Sequence, residues 1–288
     1  MSSRHHDGVP RLTWNTRLLH VGCAFTYRAE VPTPTVFLVR ALRTADIRVS
    51  RENLEITPDV QMRHHLDVCG NRRSRVVLPA GLSTVHYGAW VDVPDRTEDV
   101  DETAVETLPD DLPDDVLPYT LPSRYCVSDV LGDEAWSRFG AHPPGYGRVA
   151  EICRQVHESL RFGYGTSTAL STAADVNATG FGVCRDFAHL AISFCRALNI
   201  PARYVFGYLP DLDVRPGDAP MDFAAWMEVW LGDRWWTFDP RNNEPRKGRV
   251  VIGRGRDAAD VAMVTTFGGP VLESMVVQAE EDFAPPRR

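Results

Sequence analysis

The sequence predicts an α+β protein in which an antiparallel β domain precedes a domain of helices and a second antiparallel sheet. Two observations support this class. Short runs of alternating apolar and polar residues fill residues 12–93, and helical periodicities followed by strand patterns fill the C-terminal half. The length of 288 residues is that of about two domains of roughly 150 residues each.

The composition is that of an ordinary globular protein, with 43% hydrophobic and 24% charged residues. No apolar run reaches the roughly 18 residues that span a bilayer, and the first 20 residues have no apolar core of a secretory signal. We therefore expect a cytoplasmic protein with no membrane partner. The net charge of −8 argues against a nucleic-acid partner.

The boundaries follow from shifts in composition. The turn-punctuated strands of residues 12–93 form the predicted N-terminal β domain. The segment 94–123 is rich in acidic residues and prolines, and we interpret it as a solvated linker that wraps the surface. An acidic docking segment is the alternative. Residues 124–280 form the predicted second domain.

Two helices and a hairpin organise the second domain. Apolar residues at helical spacing predict a helix over 148–161 and another over 183–198. The strand patterns ARYVFGYL, AAWMEVWL and RWWTFD follow, and Gly232-Asp233 joins the last two as a tight hairpin loop. RVVIGRG and VAMVTTFG predict further strands near the end of the chain.

Among the six cysteines, Cys184 occupies a special position. Without a signal sequence or a CxxC motif, the cysteines indicate neither a disulfide framework nor a metal site. Cys184, however, lies in the first turn of the 183–198 helix, where the helix dipole and unpaired N–H groups favour a thiolate and can hold an oxyanion. Gly182 just before it lets a substrate approach the backbone. A buried structural cysteine is the alternative.

A thiolate nucleophile needs a base, and the hairpin indicates where to look for it. His189 lies roughly 140° around the helix from the cysteine and faces away. Pairing around the hairpin loop places Trp226 opposite Asp239 and makes position 224 a diagonal neighbour of that carboxylate, which suits an imidazole held by an acid. Position 224 carries alanine, and Trp226 is the tryptophan expected to line a substrate groove.

The segments GVCRDFAHLAISFCRALNIPARYVFGYL (182–209), DFAAWMEVWLGDRWWTFDPRNN (222–243) and GRDAADVAMVTTFG (255–268) resemble the bacterial transglutaminase-like superfamily. The resemblance implies a papain-like Cys-His-Asp core in which the cysteine-bearing helix packs on an antiparallel sheet, and the 12–93 region is similar to the β domain that precedes it there. It makes Cys184 the nucleophile and Asp239 the orienting acid. The family's base belongs to a His-Ala-Trp triplet, which here is Ala224-Ala225-Trp226.

The resemblance implies acyl transfer through a thioester on Cys184, with a peptide, a protein or a small amide as substrate and no cofactor. Water as the acceptor gives a peptidase or amidase, whereas an amine gives a transglutaminase or amide synthase. The sequence leaves both open, and hydrolysis is favoured because many relatives of this type look hydrolytic. The oligomeric state is not determined by the sequence.

Alanine at position 224 leaves three interpretations. It is a substitution introduced to inactivate the enzyme or to trap a partner, or it is natural and marks a pseudoenzyme that binds a peptide or protein without catalysis. In the third, another base such as His157 or His86 is recruited. Under the first, the chain is inactive or strongly impaired, because general-base catalysis contributes about 10²–10⁴-fold.

Overall fold

The computed structural model describes residues 15–217 and 219–282, so residues 12–14 of the predicted β domain lie outside the described residues. The strands in chain order are β1 (Thr16–Ala29), β2 (Thr33–Phe37), β3 (Arg48–Thr57), β4 (Arg63–Leu66), β5 (Arg72–Leu78), β6 (Gly81–Pro94), β7 (Arg161–Phe162), β8 (Phe181–Gly182), β9 (Ala202–Tyr208), β10 (Ala224–Leu231), β11 (Arg234–Phe238), β12 (Val250–Gly255), β13 (Val264–Thr266) and β14 (Val271–Glu281). The α-helices are α1 (Gly132–Phe139), α2 (Tyr146–Ser159), α3 (Ala173–Thr179) and α4 (Cys184–Ala197). The α+β class predicted from the sequence is confirmed.

The N-terminal strands form two antiparallel sheets, in the orders β14-β1-β6-β3 and β13-β2-β5-β4. Strands β1 and β6 pair along their whole length, from Thr16 opposite Pro94 to Ala29 opposite Gly81. Side chains of alternating burial on these strands meet those of β2, where Phe25 and Phe37 place their ring centres 6.2 Å apart. The alternation seen in the sequence is thus that of strands with one buried face.

The last two strands return to these N-terminal sheets. Strand β13 pairs with β2, and β14 covers the free edge of β1 over ten residue pairs. The assignment of these strands to the 124–280 domain is therefore wrong. A strand pattern shows that a segment is extended, but the partner of that strand is decided by long-range packing.

The segment 94–123 is more firmly packed than a solvated linker. The backbone carbonyl of Val105 accepts a hydrogen bond of 2.7 Å from the N–H of Gly232 at the hairpin loop, and Glu106 forms an ion pair with Arg148 of α2. Leu112 and Val116 are buried. Many of its acidic residues remain exposed, but the segment is anchored to the second domain along its length.

The second domain consists of α4 packed on an antiparallel sheet of order β11-β10-β9-β12. Its helices α2 and α4 agree with the predicted spans to within two residues at each end. The hairpin has the predicted register, with Met227 opposite Phe238 and Trp230 opposite Trp235. This register places position 224 and Asp239 at the end of the hairpin that is remote from its loop.

The sheet of the second domain also contacts the N-terminal sheets. Tyr208 at the end of β9 donates its hydroxyl to the carbonyl of Val39 at 3.0 Å, and the N–H of Leu42 donates to the carbonyl of Val251 at 2.7 Å. The buried residues of the two parts belong to one continuous hydrophobic cluster. The face of the sheet away from α4 is therefore covered by N-terminal residues close to where the strands meet the candidate site.

Candidate active site

Cys184 is the first residue of α4, and its thiol lies against the backbone on both sides of residue 224. The Sγ atom is 3.9 Å from the carbonyl oxygen of Phe223, and the N–H of Ala225 also interacts with it. The N–H of Val183 just before the helix donates to Oδ2 of Asp186 at 2.9 Å, which holds the turn that presents the thiol. The predicted proximity of Cys184 and position 224 is therefore present in the structure.

The Cys184 thiol is not activated in this chain. Burial, together with the charges of Asp222 and Asp239, raises the pKa of Cys184, and the N–H groups of Ala225 and Arg185 only partly offset the rise, so the pKa is about 11. Burial therefore opposes the thiolate that the helix start is expected to favour. A thiol with this pKa is protonated at neutral pH.

Asp239 follows β11 directly and is buried, with donors on both of its oxygens. Its Oδ1 accepts the N–H groups of Arg241 and Asn242 at 3.0 Å each, and its Oδ2 accepts the side-chain amide of Asn242 at 2.8 Å. Arg249 places Nη2 2.9 Å from Oδ2 as an ion pair. Burial alone would raise the pKa of Asp239, but the charge of Arg249 and the Asn242 bonds hold it below its usual value.

Arg249, which the sequence analysis missed, links this acid to the acidic segment. Its guanidinium also pairs with Glu98, and it lies 5.0 Å from the ring centre of Trp226. The side chain is 9% exposed, so this is a buried cation shared by two carboxylates. Nothing in the sequence distinguishes Arg249 from the other arginines, because its partners lie 10 and 151 positions away.

The structure does not bring the two predicted groove residues into the cleft of Cys184. Trp226 is 1% exposed and packs with Val205 and Val251, under cover supplied by Leu42. The side chains of Trp226 and residue 224 point to the same face of the sheet. At Trp226 other segments of the chain cover this face, and the hairpin pattern alone does not reveal that cover.

Gly182 is also buried, and a Cβ there would lie 2.7 Å from Cβ of Asp186. Its carbonyl accepts a hydrogen bond of 3.1 Å from the N–H of Gly163. Glycine at this position therefore allows close packing of β8 against the start of α4. The close approach to Gly182 is made by the side chain of Asp186, and Gly182 is not among the residues that line the cleft of Cys184.

The thiol opens into a cleft of about 540 Å³. Cys184 and Ala224 lie together on its wall, whereas Asp239 lies behind Arg241 and Asn242, which do line it. The rest of the wall includes two aromatic side chains after α2, parts of the loop between β9 and β10, and the segment after Asn242. Its residues include Phe162, Tyr164, Leu209, Arg215, Met221, Asp222, Glu244 and Arg246. A cleft of this size accommodates a short peptide segment beside the thiol.

None of the histidines considered as substitute bases lines this cleft. His157 donates its Nδ1–H to the carbonyl of Arg241 at 3.1 Å, behind the cleft wall. His86 is exposed on β6 in the N-terminal sheet. His189, which is expected to face away from the cysteine, is buried, its Nε2 accepts the N–H of Ala258 at 3.1 Å, and burial lowers its pKa to about 3.

Within residues 15–217 and 219–282, no three His, Cys, Asp or Glu side chains come together in an arrangement suited to a metal ion. Over the same residues, none of the helices has the length and apolar character needed to cross a bilayer.

The thiol at the start of α4 lies against β10, whose hairpin partner ends in a buried acid, and this arrangement corresponds to the cysteine and the acid of a Cys-His-Asp core, with alanine at the remaining position. Residues 136–240 match the family model of the transglutaminase-like superfamily. The chain is similar to a "putative cysteine protease" from Cytophaga hutchinsonii, with whose crystal structure it shares a TM-score of 0.85. The two sequences are 35% identical, and the match covers 94% of this chain and 93% of that one. The chain belongs to the transglutaminase-like superfamily, as the sequence analysis predicted.

Mycobacterial proteins also match. An uncharacterized protein of Mycobacterium leprae is 38% identical over 117 residues, which are 40% of this chain and 42% of that protein. An uncharacterized protein of Mycobacterium tuberculosis is 30% identical over 169 residues, or 55% of this chain and 54% of that protein. The chain thus spans about half the length of the curated relatives it matches.

Proposed function

We propose that the cleft of Cys184 is built for acyl transfer through a thioester, with hydrolysis of a peptide or carboxamide bond as the reaction. The observation that carries this proposal is the Cys184 thiol held against the backbone of residue 224, beside a buried acid at the end of the neighbouring strand. Alanine at position 224 leaves this chain inactive or strongly impaired, because its thiol stays protonated.

The proposed reaction has two steps. The sulfur of Cys184 attacks the carbonyl carbon, and the new oxyanion is stabilised by N–H groups at the start of α4. The carbon–nitrogen bond then breaks, the departing amine takes up a proton, and a thioester remains. Water attacks this thioester, the carbon–sulfur bond breaks, and a carboxylic acid and the thiol are released. An amine in place of water gives a new amide.

Both proton transfers need a base beside the sulfur. A histidine at position 224 would take the thiol proton, donate it to the departing amine, and later accept a proton from water. Asp239 would support this ring through its buried charge. In this chain these transfers have no partner at position 224, which is why the proposal expects very slow turnover.

The test compares this chain with Ala224→His by using p-nitrophenyl acetate, a neutral activated ester. We expect Cys184 to be acylated about 10²–10⁴-fold faster in Ala224→His, because the base is restored. Peptide mass spectrometry locates the acetyl group, and nitrophenolate release gives the rate. Ala224→Gln is the matched control, since it fills the position with a polar side chain that is not a base.

The proposal fails if Ala224→His is acylated no faster than Ala224→Gln, or if acylation does not occur on Cys184. Adding glycine methyl ester separates the two acceptors. Free acetate as the main product supports hydrolysis, whereas an N-acetylated ester as the main product supports amide formation.

A pseudoenzyme that binds a peptide without cleaving it is the second candidate. It is favoured by Asp239, whose oxygens already accept three hydrogen bonds and pair with the cation of Arg249 without an imidazole. The codon for residue 224 in the source genome shows whether the alanine was introduced or is natural. A histidine codon identifies Ala224 as an introduced substitution and ends the pseudoenzyme hypothesis, whereas an alanine codon makes it the better explanation.

A further inference from the structure

We propose that Arg241 forms a carboxylate-binding subsite in the Cys184 cleft, so that the site takes substrates that carry a carboxylate near the attacked carbonyl. This inference rests on the proposed function only in treating the cleft as the substrate site. It adds a substrate class, namely anionic peptides or amides.

The main chain of Arg241 is held on two sides. Its N–H donates to Oδ1 of Asp239 at 3.0 Å, and its carbonyl accepts the Nδ1–H of His157 at 3.1 Å. The residue thus has a fixed position relative to the buried acid and to α2. A side chain that starts from such an anchored backbone is suited to selecting a ligand, since less freedom is lost on binding.

The side chain of Arg241 lines the cleft and places its guanidinium over an aromatic ring of the cleft wall. Its guanidinium carbon is 4.1 Å from the ring centre of Phe162 and 6.0 Å from that of Phe187. Stacking on an aromatic face orients the guanidinium plane and leaves its N–H groups at the edge free to donate. A planar fork of this kind matches a carboxylate through two parallel hydrogen bonds.

Arg241 has no carboxylate within ion-pair distance in the described part of the chain. The other charged side chains of the cleft are used differently. Arg246 pairs with Asp211 at 2.8 Å, so its charge is compensated inside the protein. Asp222 carries the opposing charge in the cleft, and its Oδ1 accepts the N–H of Phe223 at 2.7 Å. The cleft therefore has cationic side chains at Arg241 and Arg215 and anionic ones at Asp222 and Glu244, and Glu244 lies 3.9 Å from Arg246.

The experiment measures the ratio of alkylation rates of Cys184 by iodoacetate and iodoacetamide at pH 8.5, with peptide mass spectrometry as readout. Both reagents attack the same thiolate, so the ratio cancels the thiolate fraction and depends on the charge of the reagent. We expect Arg241→Gln to lower this ratio about three- to tenfold, because a nearby cation concentrates the anionic reagent. Arg241→Lys keeps the charge and retains most of the ratio.

Three comparisons make the test specific. Asp222→Asn moves the ratio upward, because it removes the opposing charge. Arg215→Gln removes another arginine of the same cleft and changes the ratio less than Arg241→Gln does. Cys69 is partly exposed and lies outside the cleft, so the ratio of its alkylation rates by the two reagents should stay constant in every variant and report an intact fold. An unchanged ratio in Arg241→Gln, or an equal loss in Arg215→Gln, overturns the proposal.

Competing peptides identify the source of the carboxylate. Acetyl-Ala-Gln-Gly with a free C-terminus, its C-terminal amide, and an amidated peptide with an internal glutamate are each added before iodoacetamide. Protection by the first peptide alone indicates a C-terminal carboxylate, and protection by the third indicates an acidic side chain. Protection of Cys184 by all three, unchanged in Arg241→Gln, contradicts the subsite.

The two proposals fail separately. The ester test uses a neutral acyl group and depends on the base at position 224, whereas the alkylation ratio needs no turnover. If Arg241→Gln lowers the alkylation ratio as expected but the ester does not acylate Cys184, the acyl-transfer proposal is rejected and the anion-binding subsite is retained. If the ester acylates Cys184 but Arg241→Gln leaves the alkylation ratio unchanged, the acyl-transfer proposal is retained and the subsite is rejected.

Discussion

The two ends of the incomplete triad differ sharply. At the acid end, Asp239 is supplied with two backbone N–H groups, the amide of Asn242 and the buried cation of Arg249. At the thiol end, Cys184 has only the backbone around residue 224, and its burial raises its pKa to about 11. The acid is stabilised in its charged form, whereas the nucleophile is held in its neutral form.

This difference shows which part of the site depends on position 224. Asp239 keeps its charge through residues of its own turn and through Arg249, so it is compensated without a histidine at position 224. Cys184 loses hydration on folding, and the N–H groups of Ala225 and Arg185 offset only part of that loss. A buried thiol ionises only when an opposite charge outweighs that loss. The missing side chain therefore affects the nucleophile far more than the acid.

The largest expected effect comes from restoring the base. We expect Ala224→His to raise the rate of Cys184 alkylation by iodoacetamide at pH 7 about 10²–10⁴-fold, because an imidazolium beside the sulfur lowers its pKa. The thiolate fraction of this chain, in contrast, rises only as the pH approaches about 11. A pH profile for both forms checks this, with Ala224→Gln as the control. Equal profiles would show that both ends of the site are independent of position 224.

The second effect concerns the acid end. Arg249→Met leaves the buried Asp239 and the partly exposed Glu98 without their shared cation, and we expect it to lower the free energy of unfolding by about 3–5 kcal/mol. Urea denaturation measures the change. Arg154→Met is the matched control, because Arg154 pairs with Glu151 and Glu158 on the surface of α2, and it should leave the stability nearly unchanged. A small loss in Arg249→Met would contradict a structural role for this pair.

A substitution at Trp226 tests whether this side chain belongs to the packing around Arg249 or to the cleft of Cys184. Trp226→Phe removes part of a buried ring beside Arg249, and we expect a loss of about 1–3 kcal/mol in the free energy of unfolding. The iodoacetamide rate at Cys184 should stay within about twofold, since Trp226 lies outside the cleft. A much larger change in that rate would place Trp226 in the groove after all.

The smallest effect is a pH dependence at the acid end. The pKa of Asp239 is lowered in the folded state, so its ionised form contributes stability above the unfolded pKa of about 3.9. That contribution is lost as the pH falls through the folded pKa. The stability gap between this chain and Arg249→Met should therefore narrow in acid. Urea denaturation at pH 7 and in steps below pH 4 measures this difference in the free energy of unfolding. A difference that stays constant with pH would show that the ionisation of Asp239 does not contribute to it.

Local features of the site were predictable because they depend on neighbouring residues. Helix α4 begins at Cys184 as its apolar periodicity indicates, and the hairpin register followed from the two-residue loop. Position 224 lies beside the thiol as that register and the family resemblance implied. The partners of Asp239 were not predictable in the same way, because Arg249 reaches the acid from another strand.

The sequence by itself determined the cysteine at the helix start, the acid at the end of the hairpin, and the alanine where the family carries its base. Only the tertiary structure decided that β14 covers β1, that Trp226 is covered, and that the Cys184 thiol stays protonated. Periodicity and turn geometry act over a few residues, so a sequence displays them directly. Burial and ionisation depend on segments that meet only in the folded chain, and these segments set the chemistry of the thiol.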